Sequence, residues 1–315
     1  MQATDEAVRS FGIGRVFKET HERINAIDFH RRTDLLVTSG DDDAIRLYNM
    51  HSGVMEKTSY SRKYGAAHVC FTHHEAAVIY ASSKGTDHSL RYLAIHDNRY
   101  LRYFQGHTAR VTTLCMSPRS DMFISAAQDN TLRLWDLRTT VCQGLLTGVD
   151  GPGGQGLATQ PCAAIDAQGQ VFAVGLHSGV IKLYDPKNYT SGPFHTFMVP
   201  AEANNPTPFG MVRFSPDQTM LAAVVEGRIH VLDGFHGPHL FTLDTGVPPG
   251  GTALEMCFSP DSQYLLSGCE DCLIRAWRVK TGGRTATSRD ECGYCYSDVD
   301  PAERAAWGNQ ACARI

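Results

Sequence analysis

The sequence predicts an all-β fold, a propeller of repeated four-stranded blades, and three observations carry the prediction. The stretch Gly106–Arg138, GHTARVTTLCMSPRSDMFISAAQDNTLRLWDLR, contains three apolar, β-branched runs. They are Val111–Met116, Met122–Ala126 and Thr131–Trp135, separated by the turn chemistry of Ser117-Pro118 and Gln128-Asp129-Asn130. Similar runs recur along the chain. The landmarks Tyr48, Ile95, Trp135, Tyr184, Leu232 and Trp277 follow one another at intervals of 40 to 49 residues, which is the spacing of propeller blades.

Each blade can be justified in order. The Gly106–Arg138 stretch opens on Gly-His and closes on Trp-Asp, the signature of a WD40 repeat. His107, Ser125, Asp129 and Trp135 are the four side chains expected to form one buried polar chain. Asp129 accepts from the His107 ring, and Ser125 links His107 to the Trp135 indole. A buried polar chain is tolerated only when every member is satisfied, and a complete one fixes strand register. Before it, Glu22–Asn49 reads as the first repeat, with Asp42 in the turn and Tyr48 at the Trp position, and Ala66–His96 as a degenerate second. After it come Cys162–Asp185, Phe209–Asp233 and Ala253–Val279. Phe11–Phe17 (FGIGRVF) reads as an N-terminal strand that closes the ring, a device that removes exposed edges. The expected architecture is of the seven-blade type, with six legible blades, the closing strand and a defective last blade. Its segments are a polar leader at 1–10, the propeller at 11–280 and a divergent Cys-rich tail at 281–315, expected to be disordered.

Composition excludes several functions. The 315 residues are 42% hydrophobic with a net charge of −4, so nothing draws the whole surface toward nucleic acid or anionic membrane. No apolar run is long enough to span a bilayer, and the N-terminus lacks an apolar signal core. The ten cysteines then read as reduced thiols, and the sequon at Asn188 as idle. No catalytic order of residues stands in a convincing context. Gly151-x-Gly153-x-x-Gly156 matches a dinucleotide fingerprint literally, but no strand precedes it and no helix follows. Cys269-x-x-Cys272 and Cys292-x-x-Cys295 have a formal zinc spacing, yet the first pair falls in a blade turn where the thiols do not converge. His73-His74-Glu75 reads as a solvated loop. No metal and no cofactor is expected.

The chain resembles a specific eukaryotic WD-repeat family from Phe11 to Trp277. The resemblance lies in RSF at Arg9–Phe11, DDDAIRLY at Asp41–Tyr48, YSRKYG at Tyr60–Gly65 and RYLAIHDNRYLRYFQGH at Arg91–His107. It continues through MSP at Met116–Pro118, TLRLWDLR at Thr131–Arg138, CQGL at Cys142–Leu145, IKLYD at Ile181–Asp185 and FSPDSQYLLSGCED at Phe258–Asp271. The family is that of WD-repeat subunits shared by COMPASS-type histone lysine-4 methyltransferase complexes and transcription-termination phosphatase complexes. The resemblance implies a nuclear, non-catalytic scaffold, a monomer within a hetero-complex. The implied partners are a histone methyltransferase subunit, the phosphorylated C-terminal tail of RNA polymerase II and phosphatase-scaffold proteins. Sequence-specific nucleic acid and membrane are not among them. Family members have a seventh blade where this chain has its tail.

Peptides dock on the propeller face formed by residues just before each inner strand and each turn Asp. Here those residues are Arg23, Asp41, Arg110 and Gln128, joined by Arg62, Lys63 and Tyr64 from the loop entering the second blade. The basic members suit a phosphorylated peptide, because Arg and Lys make charge-assisted bonds to phosphate. Trp135-Asp136-Leu137-Arg138 is also the W-D-x-R box of cullin-type ubiquitin ligase substrate receptors. That is the alternative function, and Arg138 is its contact residue.

Overall fold

A computed structural model describes residues 4–12, 14–147, 161–176, 179–200, 209–245, 255–268, 273–279 and 294–295. Six antiparallel four-stranded sheets account for nearly all of their regular secondary structure. Blade 1 is β1 (Ile24–Phe29), β2 (Leu35–Gly40), β3 (Ala44–Asn49) and β4 (Val54–Tyr60). Blade 2 is β5 (Val69–Phe71), β6 (Ala77–Ala81), β7 (Leu90–Ala94) and β8 (Arg99–Phe104). Blade 3 is β9 (Val111–Met116), β10 (Met122–Ala127), β11 (Thr131–Asp136) and β12 (Gly144–Thr147). Blade 4 is β13 (Cys162–Ile165), β14 (Phe172–Gly175), β15 (Val180–Tyr184) and β16 (His195–Met198). Blade 5 is β17 (Phe209–Phe214), β18 (Met220–Val225), β19 (Arg228–Asp233) and β20 (His239–Asp244). Blade 6 is β21 (Met256–Phe258), β22 (Tyr264–Gly268), β23 (Leu273–Arg278) and β24 (Tyr294–Cys295). In every blade the strands pair in chain order, as short hairpin connections require. The fold is therefore an all-β WD40 propeller, with six blades among the described residues.

The chain divides into two compact units. One is residues 17–163, and the other is residues 1–16 with the chain from 164 onward. In the first, blades stack face to face. Val37, Ile45 and Leu47 of blade 1 share a core with Val69, Phe71, Val78 and Tyr80 of blade 2. The opposite face of blade 2, with Ile79, Leu90 and Phe104, packs on Val111, Phe123 and Trp135 of blade 3. A strand sends alternate side chains to opposite faces, so a central strand such as Met220–Val225 serves two cores and reads as continuously apolar. The second unit repeats the device: Leu265 and Trp277 of blade 6 pack on Met220, Ala222 and Val231 of blade 5.

The N-terminal segment departs from expectation. Residues 11–12 and 14–17 form no strand, so the predicted closing strand at Phe11–Phe17 is corrected. Gly12 and Gly14 carry no side chains to pack, and Phe11 and Val16 stay 40% and 50% exposed. Phe17 instead lays its ring on Tyr48, centroids 4.7 Å apart. Residues 5–9, read as part of a polar leader, form the helix α1 (Asp5–Arg9), capped by the Thr4 hydroxyl. Its Val8 is buried with Tyr264, Leu266 and Ala276 on the other face of blade 6. Asp5 accepts hydrogen bonds from the Tyr264 hydroxyl and, at 3.0 Å, from Arg278. Of the expected tail, Tyr294–Cys295 pairs with β23, while 281–293 and 296–315 lie outside the described residues.

One turn demands glycine. Gly65 has φ +68°, and a Cβ there would stand 1.9 Å from the Ser83 hydroxyl oxygen. Left-handed backbone costs a side-chain-bearing residue about 1–2 kcal/mol, and the contact adds to it. Gly65→Ala is expected to lower stability by at least about 2 kcal/mol, read as a lower urea midpoint. An unchanged midpoint would show that the 83–84 segment yields freely.

Candidate peptide-binding face

Blade 3 supplies the rigid frame. His107 Nδ1 lies 3.0 Å from Asp129 Oδ2, and His107 Nε2 lies 2.7 Å from Ser125 Oγ. Trp135 Nε1 donates to the same Ser125 oxygen at 2.8 Å. With the ring proton on Nδ1, the histidine donates to Asp129, and Ser125 accepts from Trp135 while donating to Nε2. The Asp129 carboxylate also accepts from the Thr108 and Thr131 amides and the Thr131 hydroxyl at 2.8, 3.0 and 2.6 Å. These bonds hold its pKa below the usual carboxylate value against the opposing effect of burial, and burial lowers that of His107. The ring is thus kept neutral, as the chain of donors requires. Asn130, just after Asp129, has φ +59°, and Asp43, just after Asp42, has φ +62°. The blade 1 and blade 3 turns therefore share one left-handed geometry, which Asx residues accept.

The residues expected to face a peptide fall into three groups, all within residues 17–163. Arg23 and Asp41 are backbone neighbours, the Asp41 amide donating to the Arg23 carbonyl at 2.9 Å. Asn25 ties the Asp41 carboxylate at 2.8 Å and the Ala66 carbonyl at 3.2 Å. Arg110 and Gln128 repeat the pairing, the Gln128 amide donating to the Arg110 carbonyl at 2.9 Å. The third group is Arg62, Lys63 and Tyr64. Their loop is fixed because the Tyr64 carbonyl accepts the Ser83 and Lys84 amides at 3.0 and 2.9 Å.

Sequence reasoning missed what lies under Tyr64. In blade 2, Ser61-Arg62 stands where blade 3 has Gly106-His107, because Phe71 pairs with Val78 as Met116 pairs with Phe123. No histidine chain forms there. Arg91, 1% exposed, replaces it: its guanidinium bonds Asp87 at 2.5 Å and the Ser82 hydroxyl, and stacks 3.6 Å from the Tyr64 ring centroid. The available signal was the Asp87/Arg91 spacing of four, which repeats the Asp42–Arg46 ion pair of blade 1. In blade 3 a Cβ on Gly106 would meet the Arg133 guanidinium at 2.5 Å.

Arg138 is engaged on the surface. Its Nε and Nη2 bond Asp121 Oδ2 at 2.9 and 2.8 Å, with the side chain 75% exposed. His73 bonds the Ser120 carbonyl at 2.9 Å. No group of His, Cys, Asp or Glu among the described residues is arranged to hold a metal. The Gly151–Gly156 fingerprint and Cys269, Cys272 and Cys292 lie outside the described residues, as does the Cys295 side chain.

Comparison with known proteins agrees with this architecture. The WD domain, G-beta repeat model matches residues 14–49, 98–136 and 250–278. WD repeat-containing protein 82 of Drosophila melanogaster is 41% identical, over 90% of this chain and 86% of its own. The Set1 complex component swd2 of Schizosaccharomyces pombe is 36% identical, over 79% and 69%. The COMPASS component SWD2 of Saccharomyces cerevisiae is 31% identical, over 81% and 75%. The chain belongs to this family of non-catalytic WD40 scaffolds, that of WD repeat-containing protein 82 and Swd2.

Proposed function

We propose that the protein is a scaffold subunit of a nuclear histone H3 lysine-4 methyltransferase complex of the Set1/COMPASS type. It links that complex to transcribing RNA polymerase II through the phosphorylated C-terminal tail, and phosphatase-scaffold proteins are its other partners. The carrying observation is the identity to relatives named as Set1-complex and COMPASS components over about four fifths of this chain. The basic rim at Arg23, Arg62, Lys63 and Arg110, with Asp41, Tyr64 and Gln128 between them, supports the link to a phosphorylated peptide. We further propose that the propeller is of the seven-blade type with a defective last blade. A fourth strand of only two residues in blade 6 supports that reading, as does the family's seventh blade.

A pull-down from nuclear extract with the full chain as bait tests the assignment. Methyltransferase and phosphatase-scaffold subunits are the expected catch. Recovery of a large triple-propeller ligase adaptor in their place, lost on Arg138→Glu, would overturn it in favour of the cullin reading.

A further inference from the structure

The three groups of rim residues differ in what stands beside their charged ends. Asp41 stands on the backbone next to Arg23. In blade 2, Asp87 neutralises Arg91, and Asp43 neutralises Lys84 at 2.5 Å. Arg62 and Lys63 have no carboxylate within ion-pair distance among the described residues. Both are held over aromatic rings: Lys63 Nζ lies 5.0 Å from the Tyr64 centroid, and the Arg62 guanidinium 5.4 Å from that of Tyr60. Arg91 also stacks on Tyr64 and lies 5.9 Å from the Tyr103 centroid. Tyr103 in turn packs on Tyr100 at 5.4 Å, and the Tyr100 hydroxyl bonds that of buried Tyr80 at 3.0 Å. Tyr60 and Tyr103 remain 55% and 44% exposed. An otherwise acidic protein thus presents two unbalanced cations on a stiff aromatic base.

We propose that this corner of blade 2 is the phosphate-reading subsite for an extended phosphopeptide. Arg62 and Lys63 bind the phosphate, and the exposed Tyr60 and Tyr103 rings receive flat apolar residues beside it. Tyr64 and Arg91 are positioning residues: they hold Lys63 in place and do not touch the ligand. The inference deepens the phosphopeptide part of the proposed function and rests on it. Cations already pinned over rings lose little rotamer freedom on binding. A phosphate dianion has the charge and the acceptor oxygens to use two of them. Single-stranded nucleic acid fits less well, because it needs open ring faces for base stacking. Here Tyr64 carries a cation on its ring from Lys63 and from Arg91, and Tyr60 carries Arg62.

Fluorescence anisotropy with the full chain tests the assignment. The probes are a polymerase-tail phosphopeptide, an unrelated phosphoserine peptide with proline and tyrosine neighbours, their unphosphorylated forms, and a single-stranded RNA. The double variant Arg62→Glu/Lys63→Glu is expected to weaken phosphopeptide binding by about 10-fold or more, with an unchanged thermal midpoint. Arg23→Glu/Arg110→Glu is expected to weaken it by less than about 3-fold, the scale of a screened, more distant charge. Tyr64→Phe keeps the ring but deletes the hydroxyl that Lys63 and Arg91 bond, and is expected to weaken binding by less than about 3-fold. Binding is also expected to fall below about pH 6, where phosphate loses its second charge. If the Arg23/Arg110 variant loses binding and the Arg62/Lys63 variant keeps it, the corner is overturned while the polymerase link stands. If only the unrelated phosphopeptide binds, and does so through Arg62 and Lys63, the corner stands and the link falls. Equal binding of unphosphorylated peptide, preference for RNA, or no binding of either phosphopeptide overturns the corner.

Discussion

Replacing Trp135 with alanine is expected to lower stability by about 3–5 kcal/mol, the usual range for emptying a buried indole site. The ring is fully buried and stacks on Phe123 with centroids 6.3 Å apart, while meeting Phe104 edge-on at 5.6 Å. Those partners belong to two blades, so the loss falls on the stacking between blades 2 and 3. Ser125→Ala should cost less but act by another route. It removes one small oxygen and leaves the Trp135 N–H and His107 Nε2 buried without partners, at about 1–3 kcal/mol. Trp135→Phe separates the two contributions, because it keeps most of the packing and deletes the donor. Urea midpoints of the three variants, compared at equal slope, provide the measurement. If Trp135→Ala costs no more than Ser125→Ala, the indole packing contributes little and the polar chain alone organises the blade.

The third blade was legible because its chemistry is redundant. Four residue types at fixed spacings state the polar chain. The strands expected at Val111–Met116, Met122–Ala126 and Thr131–Trp135 differ from those observed by one residue at most. Blade 2 was legible as strands but not as chemistry. Its Tyr64, Arg91 and Asp87 perform the fixing task with other residue types, and a stacked guanidinium has no spacing rule like that of Gly-His and Trp-Asp. Phe11–Phe17 misled for a different reason. Alternation reports which side chains can share a face, but pairing needs a partner edge, and that partner is not local in sequence. Tyr294–Cys295 fails in the same way, since its partner β23 lies many residues upstream with no hairpin signal between them. The rim residues were found by position relative to the inner strands. Which neighbouring cations are already neutralised depends on pairings such as Lys84 with Asp43, 41 residues apart in sequence.

Acid is expected to destabilise the protein between pH 6.5 and 4, above the range in which Asp129, Asp217 and Asp233, all with lowered pKa values, take up protons. Burial, with the Arg110 charge behind it, lowers the His68 pKa to about 4. Burial, reinforced by His239 and Arg228 and opposed by Glu226, does the same to His230. A histidine whose folded pKa lies below the unfolded value of 6.5 binds fewer protons folded than unfolded. Stability is therefore intact above pH 6.5, falls as pH drops below it, and stops falling below the folded pKa. For buried His230 the loss is about 2 kcal/mol at pH 5 and about 3 kcal/mol at pH 4. Asp129, Asp217 and Asp233 have lowered pKa values, so their contribution is lost only as pH falls below 3.8. His230 can be isolated because its partner is a hydroxyl: Thr242 Oγ1 lies 3.1 Å from His230 Nδ1 and 2.9 Å from His239 Nε2. His230→Gln offers Thr242 an uncharged amide in place of the ring. It should cost some stability at pH 7.5 yet narrow the gap between the pH 7.5 and pH 5 urea midpoints by the His230 share. An identical gap in parent and variant would mean that blade 5 admits water around the imidazole and lets it charge in place.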